Sequence, residues 1–302
     1  MKAVGVIGLG IMGSAMAASL LRSGFRVHGY DVLAERRAAL KKAGGIACKS
    51  VSEVSSKAKI IITSLPSAAA LHKVSRQLKG IVIETSTLPI ADKVKAEFVL
   101  GKRKSILLDC PLSGTGAQAR TGDLVVYGSG DKAAFQKALP VLKGFSRAQY
   151  FVGEFGNGSK MKFVANLMVA IHNVSAAEAF ALGMKAGLKP ATIYKVAGDG
   201  AGTSRMFQVR GPMMVAEDYS DATMKVEVWQ KDMHIIGEFA ARLGCPTPLF
   251  AACGPIYAAA MAAGRAREDT AAVCAVLGAM AGIVPRARRR TNRRATTSEE
   301  GC

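Results

Sequence analysis

Three glycines near the amino terminus constrain this chain more than any other feature. Val6-Ile7-Gly8-Leu9-Gly10-Ile11-Met12-Gly13 spells G-x-G-x-x-G directly behind a β-rich apolar run at 3–7 and at the opening of a helical pattern. A strand that turns into a helix this way suits a phosphate. Gly8 permits the tight turn, Gly10 carries no Cβ to block a pyrophosphate, and Gly13 lets helix and strand approach closely. The helix opening adds unpaired N–H groups and the positive end of its dipole. Gly8, Leu9, Gly10, Ile11, Met12 and Gly13 are therefore the candidate cofactor cradle. A second strand at 26–30 ends in Tyr30-Asp31, eighteen residues past Gly13, where a carboxylate can accept hydrogen bonds from both hydroxyls of an adenosine ribose. Asp31 would repel the extra phosphate of NADP and Val32 offers it no cation, so NAD is favoured. NADP is the alternative, because Arg36 and Arg37 lie one turn into the next helix.

Further strands are expected at 59–64, 81–85, 105–110, 124–127 and 149–152, with helices beginning near Met12, Leu33, Ser67, Pro89 and Asp131. Apolar strands separated by helix-length segments imply an α/β fold, a Rossmann-type doubly wound and mostly parallel sheet covered on both faces. After Gly158 the pattern becomes helical, with segments near 159–186, 190–199, 203–216, 222–243, 247–264 and 268–282 and no strand. Gly187, Gly244 and Gly264 fall at helix ends. The expected organisation is an NAD(P)-binding domain over 1–155, an all-helical substrate and oligomerisation domain over 156–285, and a basic, disordered tail over 286–302. The longest helix starts at the junction, so a cleft should run along its first turns.

Half the residues are hydrophobic and 21% are charged, which excludes a disordered polyampholyte. The six cysteines are scattered without a C-x-x-C pair, and the four histidines show no ligand spacing; neither a disulfide scaffold nor a metal site is expected, and a reducing cytoplasm fits. The apolar stretch at 3–21 imitates a secretory signal, but its glycines are spaced for the cradle. The apolar run at 271–284 is 14 residues long, short of the ~20 a membrane span requires, so no membrane partner is expected. Six arginines against Glu299 and Glu300 give the tail +4, which leaves +15 of the formal +19 on the rest of the chain. Such charge would support nucleic-acid binding on a dinucleotide fold as an alternative, but no aromatic RNA-binding motif or DNA-recognition signature accompanies it. A basic cleft that steers an anionic substrate is the better reading.

Lys162 and Asn166 are spaced i, i+4, which puts an amine and a carboxamide on one helix face. Converging on one hydroxyl, they can move its proton and hold its oxygen, provided that enclosure lowers the lysine pKa towards neutrality. The turn Ser113-Gly114 follows a strand and Pro111, and offers a hydroxyl and free N–H groups to a carboxylate.

Four blocks in order resemble the β-hydroxyacid dehydrogenase family, the group of 3-hydroxyisobutyrate dehydrogenase and tartronate semialdehyde reductase. They are the glycine cradle followed by Met16-Ala17, Asp109-Cys110-Pro111-Leu112-Ser113-Gly114-Thr115-Gly116, the run from Gly156 to Asn166, and Lys231-Asp232 leading to Gly244-Cys245-Pro246. Two departures stand out: the family commonly has Asn in place of Ser19 and Gly in place of Thr115. The resemblance implies that Lys162 is the general acid/base and that Asn166 orients the substrate. It implies that Ser113, Gly114, Thr115 and Lys231 meet the substrate, and that Leu65, Pro66, Thr87 and Lys231 flank the nicotinamide end of the cofactor. Asp232 reads as an anchor for helix packing. The implied activity is NAD(P)-dependent interconversion of a small anionic hydroxy acid and its oxo acid or semialdehyde. Glyoxylate or succinic semialdehyde reduction is a variant of it, and a homodimer or homotetramer through the helical domain is the expected assembly.

Overall fold

The computed structural model describes residues 2–283, so the tail read as disordered at 286–302 lies outside the described residues. β1 (Ala3–Ile7) passes through the glycine turn into α1 (Ile11–Arg22). There follow β2 (Arg26–Tyr30), α2 (Ala34–Lys42), β3 (Ile46–Ala47), α3 (Val51–Lys57), β4 (Ile60–Thr63), α4 (Ala68–Ser75), β5 (Ile81–Glu84), α5 (Ile90–Gly101) and β6 (Ile106–Asp109). These six strands pair in parallel in the order β3-β2-β1-β4-β5-β6. The winding direction reverses between β1 and β4, and a ligand crevice is expected at their carboxyl ends. One apolar cluster around Leu20, Ile62 and Leu108 fills one face of the sheet, and another around Ile61, Leu71 and Val82 fills the other.

The expectation of one sheet is corrected after β6. β7 (Leu112–Ser113), α6 (Gly116–Thr121), β8 (Val125–Gly128), α7 (Lys132–Lys143) and β9 (Ala148–Phe151) build a second sheet in the order β7-β8-β9. Only two residues separate β6 from β7, too few for the crossover of a dozen or more that parallel pairing needs, and β7 instead runs antiparallel to β8. A single bridge, Asp109 to Ser129, joins the two sheets.

Beyond β9 the described chain is helical: α8 (Asn157–Lys185), α9 (Pro190–Asp199), α10 (Arg205–Ala216), α11 (Val226–Arg242), α12 (Pro248–Ala262), a 3₁₀ turn Thr270–Ala272 and α13 (Val273–Met280). α8, at 29 residues, is long and apolar enough to cross a bilayer by length and composition. Here it is the central helix of its lobe, packed by α9, α10, α11, α12 and α13 around Phe180, Phe207, Trp229 and Tyr257. Asp269 ties this lobe together, accepting hydrogen bonds from Arg210 Nε at 3.1 Å, the Thr223 amide at 2.8 Å and the Ala271 amide at 2.9 Å.

Candidate active site

The cradle has the shape a pyrophosphate requires. Gly8 sits at φ +88°, and a Cβ there would fall 2.1 Å from the Ser64 carbonyl oxygen; at Gly13 it would fall 1.8 Å from that of Gly8. Those two glycines are demanded by the packing of the chain itself. Gly10 is different: a Cβ there would meet nothing nearer than Arg36 Nη1 at 3.7 Å. The open space above Gly10, at the first turn of α1, is where an anion fits best. Asp31 closes the far side, and it is 5% exposed. Its Oδ2 accepts the Leu9 amide at 2.7 Å and its Oδ1 the Leu33 amide at 2.9 Å, while Arg36 Nη1 stands 3.4 Å from Oδ2. A carboxylate oxygen has a second lone-pair site, so Asp31 can serve the turn and still receive a hydroxyl.

The carboxyl ends of β4 and β5 form the next wall. Buried Glu84 accepts from the Thr63 hydroxyl and from the Ser86 amide at 2.6 Å. Ser86 Oγ in turn accepts the Leu65 amide at 2.8 Å. This chain of bonds fixes the loops that carry Leu65, Pro66 and Thr87. Glu84 and Ser86 escaped the sequence reading; only their place at the end of a strand could have marked them.

Ser113 and Gly114 form the expected turn, Gly114 at φ +132° with Leu124 Cδ2 2.6 Å from where a Cβ would lie. The Ser113 hydroxyl makes no hydrogen bond among the described residues and is available to a ligand. Thr115 has a task of its own. Its hydroxyl and amide engage Gln118 in a capping box that starts α6, so it borders the turn without contributing a free hydroxyl.

α8 supplies the amine. Lys162 is half-buried, and burial pulls its pKa down to about 8, with Lys231 pushing the same way and Asp232 opposing. Asn166 is buried, and its amide donates to Asp232 Oδ2 at 2.9 Å. Asp232 Oδ1 meets Lys231 Nζ at 3.1 Å, and that amine also donates to the Thr87 carbonyl at 2.6 Å. Lys231 thus joins α11 to the loop behind β5, and Asn166, Asp232, Lys231 and Thr87 form one connected chain. Asp232 does more than anchor helix packing: it orients two of the expected site residues. Its i+1 position next to Lys231 concealed this, because neighbours on a helix point in different directions.

Part of the positive charge lies away from this cleft. Exposed Arg26, Lys2, Lys59, Lys79 and Lys104 stand at or just before the amino ends of β2, β1, β4, β5 and β6, the end of the sheet opposite the cleft. Helix carboxyl termini gather on that side, and their dipoles favour cations.

The chain is similar to several known proteins. A family model described as the NAD binding domain of 6-phosphogluconate dehydrogenase matches residues 3–153. Another, described as NAD-binding of NADP-dependent 3-hydroxyisobutyrate dehydrogenase, matches residues 156–277. The chain is 34% identical over 280 residues to L-threonate dehydrogenase of Cupriavidus necator, covering 89% of this chain and 94% of that protein. It is 29% identical to glyoxylate/succinic semialdehyde reductase 1 of Arabidopsis thaliana, over 89% of this chain and 96% of that one. Among solved structures, 3-hydroxyisobutyrate dehydrogenase from Salmonella typhimurium superposes with a TM-score of 0.83 at 30% identity, covering 91% of this chain and all of the other.

Proposed function

The chain belongs to the β-hydroxyacid dehydrogenase family of NAD(P)-dependent enzymes acting on CH–OH groups, and from that premise we propose a mechanism centred on Lys162 for a small anionic hydroxy acid. The observation that carries it is a half-buried amine with a pKa near 8 beside the Asn166–Asp232–Lys231 chain. Bound nicotinamide would accept or supply the hydride at the substrate carbon. Ser113 and the backbone of Gly114 hold the carboxylate. Asp232 engages the Asn166 amide group, which turns its carbonyl oxygen towards the substrate hydroxyl. Lys162 takes the hydroxyl proton during oxidation and returns one to the carbonyl oxygen during reduction. Gly8, Leu9, Gly10, Ile11, Met12 and Gly13 would receive the pyrophosphate, with Asp31 on the ribose and Leu65, Pro66, Thr87 and Lys231 around the nicotinamide end.

Two protonation states of one lysine serve opposite directions, which gives a direct test. Oxidation needs the free amine, so kcat for oxidation should rise with pH through about 8. Reduction needs the ammonium, so its kcat should fall over the same interval. Parallel or flat profiles in the two directions would remove Lys162 from the proton transfer.

NAD is the expected partner of Asp31. The repulsion between this carboxylate and a 2′-phosphate should favour NAD over NADP by about tenfold or more in kcat/KM. A strong NADP advantage would transfer control to Arg36, whose guanidinium already lies beside Gly10. Substrates resembling L-threonate, glyoxylate or succinic semialdehyde are the first to assay, given the relatives. The division at 155/156 separates cofactor from helical lobe in this reading. A homodimer or homotetramer through that lobe is supported by Val164, Met168 and Leu182, exposed along one side of α8. A cytoplasmic setting is supported by five free cysteines among the described residues.

A further inference from the structure

We propose that Asp109 and Ser129 are positioning residues: they cap the helix that carries Lys162 from the opposite lobe, so the amine reaches its working place only when the two lobes are docked. The proposal rests on the reading of Lys162 as the proton-transfer group.

The first N–H groups of a helix have no partner inside it and normally find a side chain just upstream. α8 lacks one. Its N-cap is Gly156, at φ +92° with no side chain to offer. The next residue, Asn157, spends its amide on the Val152 carbonyl at 3.0 Å. The missing caps come from the other lobe. The Gly158 amide donates to Ser129 Oγ at 2.9 Å, and the Ser159 amide donates to Asp109 Oδ2 at 2.7 Å. Ser159 Oγ adds a bond to Asp109 Oδ1 at 2.9 Å. All of this is buried.

Two further features show that the joint is built to close tolerance. Lys93, fully buried on α5, donates to Asp109 Oδ1 at 2.8 Å, so the carboxylate has a cation beside it in a dry setting. A buried carboxylate at a helix start is favoured by the dipole but costs much solvation unless a cation accompanies it. At Gly158, a Cβ would fall 2.4 Å from the Tyr127 oxygen and 2.5 Å from that of Asp109, so only glycine lets the helix come this close. Asp109 and Ser129 also exchange backbone hydrogen bonds at 3.0 and 2.8 Å, forming the bridge between the two sheets. The caps are therefore fixed at the bridge between the two sheets of the first lobe.

Lys162 follows Ser159 by three residues, less than one helical turn. A shift in the height or rotation of the first turn is passed directly to the amine, and misplacement by about 1 Å can cost ~100-fold in rate. A purely stabilising role predicts something else: lower Tm, with unchanged turnover per folded molecule.

The test compares Ser129→Ala/Ser159→Ala with the parent enzyme in kcat, KM, NAD affinity, Tm and the pH midpoint of kcat. This double variant keeps the Lys93–Asp109 pair intact. The expected result is a kcat about tenfold or more lower and a displaced pH midpoint, with NAD affinity within about twofold because the cradle is untouched. Should it fail to fold, Ser129→Ala alone carries the same test, because it removes the cap on the Gly158 amide. A kcat and pH midpoint equal to the parent's, whatever the Tm, would overturn the proposal. If Lys162→Met is inactive in the same assays, that overturn concerns the capping alone; if it is fully active, the catalytic reading itself has failed.

Discussion

Replacing Lys162 with methionine should lower kcat in both directions by about 10³-fold, within the range usual for a lost general acid/base, while NAD affinity stays near the parent value. Methionine keeps the length and most of the apolar stem, so the packing of α8 is spared and the loss isolates the amine. Arginine would not be a conservative control, because its guanidinium stays protonated at any working pH. The direction of the effect follows from the site. The chain Asn166–Asp232–Lys231–Thr87 does not depend on the Lys162 amine, so binding should persist while proton transfer fails. Steady-state kinetics with calorimetry of NAD binding separates the two quantities. A Lys162→Met enzyme with turnover close to the parent's would mean that another group moves the proton.

The second large effect belongs to Gly10. A valine there should weaken NAD binding by about 100-fold or more, since its side chain enters the space intended for the pyrophosphate. Yet the protein should fold, because Gly10 lies at φ −67° and its Cβ direction is open to Arg36 Nη1 at 3.7 Å. Gly13→Ala is the contrasting case. Its Cβ would collide with the Gly8 oxygen at 1.8 Å, so stability should fall together with binding. Thermal unfolding and calorimetry on both variants distinguish a glycine kept for the ligand from one kept for the chain. Equal damage to Tm from both would contradict the assignment of Gly10.

Much of this was legible in the residues alone, for physical reasons that differ by element. Strands β1 and β4 stood out as continuous apolar runs because a parallel sheet buries both faces. The long helices after Gly158 were marked by glycines past their ends, as at Gly187 and Gly244. The two-residue β3 and the seven-residue α3 are shorter than a periodicity can show. α3 nonetheless carries a local signature: Ser50 Oγ accepts from the Glu53 amide at 3.1 Å while Glu53 Oε2 accepts from the Lys49 amide at 2.7 Å. Val54 of the same helix packs against Gly5 in the sheet.

The site divides in the same way. Lys162, Asn166 and the glycine cradle are local patterns, readable from spacing. What surrounds them is long-range. Lys93 meets Asp109 sixteen residues away, Asn166 meets Asp232 sixty-six away, and Lys231 meets Thr87 across 144. Nothing in the neighbourhood of a buried lysine on an amphipathic helix announces its partner. Lys93 reads as a surface residue, and only the tertiary structure shows it fully enclosed. Removing one member of such a pair leaves the other charge buried, at a cost of about 3–5 kcal/mol.

A crystal structure of the enzyme with NAD and a slow hydroxy-acid substrate tests the central claim most directly. Lys162 Nζ should stand within hydrogen-bond reach of the substrate hydroxyl, about 2.6–3.2 Å, with the Ser113–Gly114 turn on the carboxylate. A substrate seated in the cleft with its hydroxyl paired to another residue, and Lys162 turned away, would contradict it.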